Sequence, residues 1–138
     1  MLEIVAVLVI LGAMTAVAIS RFTDIGARDV AVTNTLKAHL RYAQLRAMGD
    51  TEPWGIEIEA DSYKLVSDNT SIPGPNLPGD DTSENDDLDV DLSPVTIRFS
   101  AARGQPIDSD NSVVSENQNI NIGSNQTITI TAETGFIE

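Results

Sequence analysis

The chain has 138 residues, no cysteine and a formal net charge of −13 at pH 7. That length suits one domain with an appendage, and without cysteine there is neither a disulfide nor a thiolate site. The acidic balance argues against a nucleic-acid partner, which needs a basic footprint.

The charge is unevenly spread. Before Asp50 stand three acids (Glu3, Asp24, Asp29) and five bases (Arg21, Arg28, Lys37, Arg41, Arg46), a net +2; from Asp50 on, 18 acids face three bases, a net −15. An acidic region of that kind favours solubility, repulsion between neighbours or cation binding.

Residues 1–20, MLEIVAVLVILGAMTAVAIS, are apolar but for Glu3 and a few small polar residues. The run Ile4–Ile19 spans about 24 Å as a helix. With Met1, Leu2 and Ser20 it approaches the roughly 30 Å of bilayer hydrocarbon. A carboxylate at mid-bilayer costs roughly 2.5–3.5 kcal/mol. Glu3 therefore reads as a functional residue that needs a partner; the plainer alternative is snorkelling to the headgroups. A secretory signal peptide would place bases before the run and a small-x-small site after it. Here Arg21 follows the run and Glu3 precedes it. Gly12 is a liability of ~1 kcal/mol in a soluble helix. In a membrane helix it permits close helix packing, and its permissive backbone equally tolerates a local departure from the helix.

The helical period continues beyond Phe22. Val32, Leu36, Leu40, Ala43 and Ala47 recur at steps of 4, 4, 3 and 4, one stripe of an amphipathic helix. Asp24 and Arg28 stand four apart in the favoured order. Arg41 and Arg46 suit the negative C-terminal end. Gly49 is a C-cap and Pro53 prevents resumption. The expectation is one helix from Leu2 to Met48, apolar all round in its first half and packed by one face in its second.

From Trp54 the period becomes two. Trp54–Glu59 and Tyr63–Val66 read as a hairpin. Residues 68–86 are rich in Pro, Gly, Asp and Ser, and read as a loop. Leu88, Val90 and Leu92 alternate with Asp89 and Asp91, a short half-buried strand, and Val95–Phe99 is another. Residues 103–118 read as irregular. Asn119–Ile122 and Thr127–Thr131, separated by Gly-Ser-Asn, form a second hairpin.

Several side chains invite chemistry. Eight acids lie between Asp68 and Asp91, and calcium takes six to eight oxygen ligands. The spacing lacks the EF-hand glycine and terminal glutamate. The expectation is a solvated loop, with calcium on Asp86 and Asp87 as the alternative and no other cofactor. Asn69-Thr-Ser71 and Asn125-Gln-Thr127 match the glycosylation sequon, a weak pattern that implies surface exposure. His39 is the only histidine, and one histidine cannot build a zinc site. Nucleophilic and metal-hydrolase chemistry have no visible parts, and no enzyme is expected.

The stretch LEIVAVLVILGAMTAVAISRF resembles the mature N-terminus of type IV pilins and type II secretion pseudopilins. Glu3, Gly12 and the Arg21-Phe22 pair fall on the family pattern. LRYAQLRAM (Leu40–Met48), PWGI (Pro53–Ile56) and TITITAETGFI (Thr127–Ile137) are similar to the helix end, first strand and last strand of H-type pseudopilins and mannose-sensitive-haemagglutinin-type minor pilins. Two residues precede Glu3 where the family has four, and Ser20 stands where it has proline. No basic leader precedes Met1, so the numbering resembles a processed form.

The resemblance implies an α+β pilin fold, a long N-terminal helix packed on an antiparallel sheet. Residues 1–24 would be a membrane or filament-core segment. Residues 25–138 would be the head, with a helix half over 25–48 and a sheet over 54–138. It implies that Glu3 pairs with the N-terminal amine of a neighbouring subunit (Met1 here), with Gly12, Arg21 and Phe22 also in the assembly segment. It implies a helical homo-oligomer that waits in the inner membrane and then forms an extracellular pilus or periplasmic pseudopilus. A prepilin peptidase, an assembly ATPase and a platform protein are the implied partners. The alternative within the family is a minor pilin or pseudopilin at the tip, priming assembly or binding a surface or secreted substrate. Within a filament, partial melting of the helix between Gly12 and Ser20 is expected.

Overall fold

A computed structural model describes residues 2–68, 74–86 and 88–138; the side chains of Leu2 and of residues 19–25 lie outside that description. The chain is α+β, with an antiparallel sheet. Helix α1 runs Leu2–Met48. Strands β1 (Trp54–Ile58) and β2 (Tyr63–Ser67) form a hairpin. The others are β3 (Glu84–Asn85), β4 (Val95–Phe99), β5 (Pro106–Ile107), β6 (Gln118–Ile122) and β7 (Gln126–Ile130).

Five strands form one sheet in the order β3-β2-β1-β4-β5, and β6-β7 form a second. Strand β1 is central because both its edges are matched: Ile56 stands opposite Leu65 on β2 and opposite Ile97 on β4. Gly55 permits that fit. A Cβ there would sit 2.2 Å from the Ile97 carbonyl oxygen, so no larger residue lets the strands close. On β6-β7, Ile120, Ile122, Ile128 and Ile130 turn inward and are buried. Their alternating neighbours form polar cross-strand pairs, Thr127 to Asn121 at 3.2 Å and Thr129 to Asn119 at 3.0 Å. That is the period-two pattern of a sheet wet on one face.

The second half of α1 covers both sheets, contacting β1, β4, β6 and β7. Leu36, Leu40, Ala43 and Ala47 are fully buried. They meet Trp54, Ile56, Phe99 and the isoleucines of the second hairpin in one core. The helix ends where Gly49 N–H reaches the carbonyls of Leu45 and Arg46, both at 3.1 Å. Asp50 then accepts from Thr51 N–H at 2.7 Å and from the Trp54 indole at 3.1 Å. These bonds, the Thr51 amide first, hold its carboxyl below the usual range.

Three expectations need correction. Leu88–Leu92 is not a strand. Its alternation of burial is present, with Val90 and Leu92 buried, but its backbone is divided between two neighbours. Leu88 and Leu92 N–H bond to the carbonyls of Asp61 and Ala60, while Asp91 C=O accepts from Gly123 N–H. The segment clips the two sheets together and makes only an isolated bridge, Leu92 to Ile122. Residues 68–86 are not all loop: Glu84–Asn85 adds an edge strand to β2, and residues 69–73 lie outside the described residues. Residues 103–118 include β5, whose Pro106 and Ile107 are buried. Proline suits this edge, where no further strand demands its N–H.

Candidate assembly surface

The first part of α1 differs from the rest of the chain. Every residue from Glu3 to Ala18 is exposed, and its large apolar side chains range from Val7 at 54% to Met14 at 71% exposed. No sheet lies under it. The sequence explains this. Every residue from Ile4 to Leu11 is apolar, so the helix has no polar face to turn outward. A surface that is apolar all round must be covered all round, which a two-layer head cannot do. Among the described residues no helix is long and apolar enough to cross a membrane. The expected segment 1–24 includes Met1 and the side chains of Leu2 and residues 19–24, which are outside the description.

Glu3 is exposed and is the sole charge among residues 3–18. Gly12 has open space where a Cβ would stand, so nothing within this chain requires a glycine there. Met1 and the side chains of Arg21 and Phe22 fall outside the described residues. The structure places Glu3 and Gly12 on the part of α1 that meets no other described element.

The acidic loop is the candidate for calcium. Asp86 is exposed and Asp87 lies outside the described residues. Among the described residues no three acids or histidines converge as a metal site. Three of the acids already have partners, among them Asp68, which pairs with Arg98. Asp80 accepts from Asn85 at 3.0 Å, and Asp89 pairs with Arg28 at 2.7 Å. Asn125 is exposed in the β6-β7 turn, while Asn69 lies outside the description.

The loop is held from beneath by His39, which is buried. The Pro78 carbonyl can only accept, so His39 Nε2 carries the proton and donates to it at 3.1 Å. Nδ1 is then free to accept from the Tyr63 hydroxyl, 2.9 Å away. Burial, aided by the Asp80 charge, pushes the Tyr63 phenol far above its ordinary range. Leu77 buries beside this pair in the core. The lone histidine thus fastens the acidic loop to the helix. Sequence reading excluded it as a zinc ligand and assigned it nothing else; a single polar residue next to the apolar stripe was the available signal.

On the outer side of α1, beyond residue 25, the pattern is basic. The only acid among residues 26–48 is Asp29, which is 5% exposed and accepts from Ser124 N–H at 3.4 Å. Gly123 must lack a side chain here: at φ 56° its Cβ would lie 2.4 Å from Asp29 Oδ2. Arg28 reaches Asp89, and the side chain of its expected partner, Asp24, lies outside the description. Arg41 donates to the Ile137 carbonyl at 3.1 Å, and Arg46 lies over the Trp54 ring, 5.2 Å from its centroid. No family model, curated protein or solved structure matches this chain.

Proposed function

We propose that this chain is a pilin-like subunit of a helical filament, with the apolar part of α1 in the filament core and the acidic head as the outer wall. The observation that carries this reading is the fully exposed apolar helix at residues 3–18, interrupted only by Glu3. Such a surface needs lipid before assembly and neighbouring helices after it. Apolar side chains gain little on passing from lipid to a protein core, so assembly would be driven by an external motor. On this reading the head is a pilin fold, the subunit waits in the inner membrane, and the assembled form lies outside it. The resemblance of Glu3, Gly12 and Arg21-Phe22 to the family pattern supports the same reading.

The role of Glu3 follows from the cost of burying a charge. In a core a bare carboxylate is penalised, and one matched to the amine of a neighbour is not. Glu3→Ala is expected to leave membrane insertion intact while filament yield falls sharply. The test is sheared-filament yield from cells lacking the wild-type subunit. Normal yield with Glu3→Ala would remove the pairing role, and a chain that never sediments as polymer would remove the filament.

A further inference from the structure

The outer side of the amphipathic helix half is covered by no described strand; it touches the rest of the chain at its margin, where Arg41 donates to the Ile137 carbonyl and Met48 lies beside Gly104. Val30, Lys37, Arg41, Leu45 and Met48 follow at steps of 7, 4, 4 and 3, which places them on one face. Val30, Leu45 and Met48 are exposed large apolar residues, Leu45 at 67%. Among the described residues Lys37 and Arg41 have no carboxylate in ion-pairing range, whereas Arg28 and Arg98 each have one and Lys64 has two. No exposed acid interrupts this face between residues 26 and 48; Glu133 and Glu138 flank it from the C-terminal segment.

The complementary surface is on the same chain and out of reach. Asp81, Glu84 and Asp86 are exposed on the loop that leads into and out of β3, the far edge of the five-stranded sheet. That loop is fastened to α1 through His39 and Pro78. At 3.6 residues per turn, Lys37, Arg41 and Met48 lie roughly 160–200° around the helix from His39. The basic face and the acidic loop are therefore on opposite sides of one helix and cannot neutralise each other within a chain.

We infer that the outer face of α1, through Lys37, Arg41, Leu45 and Met48, docks against the acidic loop of a second copy of this chain. This rests on the filament reading and deepens it by naming the head-to-head contact. Two different patches on opposite sides make a heterologous contact, which propagates along a filament rather than closing a two-fold dimer. Leu45 and Met48 supply the apolar centre. The charges supply register, and like-charge juxtaposition excludes the inverted arrangement.

The experiment uses the full chain. Lys37→Glu with Arg41→Glu should lower sedimentable polymer by about tenfold or more, since juxtaposed like charges cost several kcal/mol. Glu84→Lys with Asp86→Lys should do the same, and all four together should restore most of the yield. Lys37→Glu, Glu84→Lys and Asp86→Lys should leave the thermal midpoint at the wild-type value, while variants carrying Arg41→Glu should fall slightly because Arg41 also donates to the Ile137 carbonyl. Loss of polymer by Lys37→Glu at an unchanged midpoint isolates the docking effect from the fold. The chain has no cysteine, so Arg41→Cys with Asp86→Cys forms a disulfide ladder on oxidation only where one copy's helix meets another's loop. A ladder with rescue supports the contact. Wild-type yield from both reversed pairs, or failure of rescue with no ladder, overturns it and leaves the filament reading standing. A ladder in detergent from a chain that never sediments keeps the contact and removes the filament. Absence of both polymer and ladder removes both. Loss of binding to vesicles with anionic headgroups, with polymer unchanged, assigns the face to lipid and overturns the contact.

Discussion

Residues 3–18 and 26–48 belong to the same helix, yet their side chains meet water in opposite ways. In the second stretch Leu36, Leu40, Ala43 and Ala47 are buried under two sheets; in the first, Ile4, Leu8, Leu11 and Met14 are all exposed. The first stretch is the more apolar of the two, so apolarity alone does not decide burial. Period does. A stripe at steps of three and four needs one surface to lie on, and the head supplies it. A run that is apolar in every direction needs a surrounding medium, and one chain cannot be its own medium. The same contrast separates the two acids. Asp29 is buried against a backbone amide of the β6-β7 turn, and Glu3 is exposed among aliphatic neighbours.

The comparison is most open to attack in the core. Leu40→Ala is expected to destabilise the head by about 2–5 kcal/mol, the usual range for a buried leucine. Leu8→Ala should change the head's unfolding by less than about 0.5 kcal/mol, as for sites outside a packed core. Thermal unfolding followed by tryptophan fluorescence checks both, because Trp54 lies in the core. Equal losses would show that residues 3–18 also pack on the head. Next in size is Asp29→Ala. It removes the acceptor of the Ser124 amide, a part-buried bond of 3.4 Å, at about 0.5–1.5 kcal/mol. Glu3→Ala should leave the same unfolding curve unmoved while abolishing polymer, which separates a folding acid from an assembly acid.

The element types were legible in the sequence wherever a strong period ran uninterrupted. The stripe from Val32 to Ala47 and the alternation in Trp54–Ile58, Val95–Phe99 and the second hairpin all carried their own signal. The clip at Leu88–Leu92 has the sequence pattern of a strand because alternation reports burial and not pairing. Its side chains obey the strand rule while its amides go to two separate partners. Strands β3 and β5 are two residues each, too short for any period, and exist only because β2 and β4 offer an edge. At the candidate site, Glu3 and Gly12 could be named from sequence. The basic outer face could not, since its meaning depends on which arginines find carboxylates after folding.

A smaller effect tests whether the His39 fastening belongs to the head alone. The Tyr63 phenol is raised by burial, so the folded state holds its proton longer than the unfolded chain does. The resulting stability is complete below the unfolded value of about 10 and is lost as pH rises above it. The unfolding midpoint should fall in that alkaline window, and Tyr63→Phe should reduce the slope while lowering stability at neutral pH by about 1 kcal/mol for the lost bond to His39. An unchanged slope would place the alkaline sensitivity elsewhere. The smallest expected effect is Asn121→Ala, which removes one exposed cross-strand pair with Thr127 and should cost roughly 0.2–1 kcal/mol. A larger loss would mean that the outer face of β6-β7 carries more of the head than its exposure suggests.

The order in which the chain is made has a bearing on how it survives its own synthesis. Arg41 bonds to Ile137, Gln44 to Gly135 and Asp29 to Ser124, contacts separated by 96, 91 and 95 residues. At roughly 5–20 residues per second, a ribosome needs on the order of 5–20 s to pass from one side of such a pair to the other. Throughout that interval the stripe of Leu36 and Leu40 lacks part of its cover, because the β6-β7 hairpin emerges well after the helix and after β1, β2 and β4. A nascent chain stopped short of β7 would therefore present two greasy surfaces rather than one, and would be the form most in need of a chaperone.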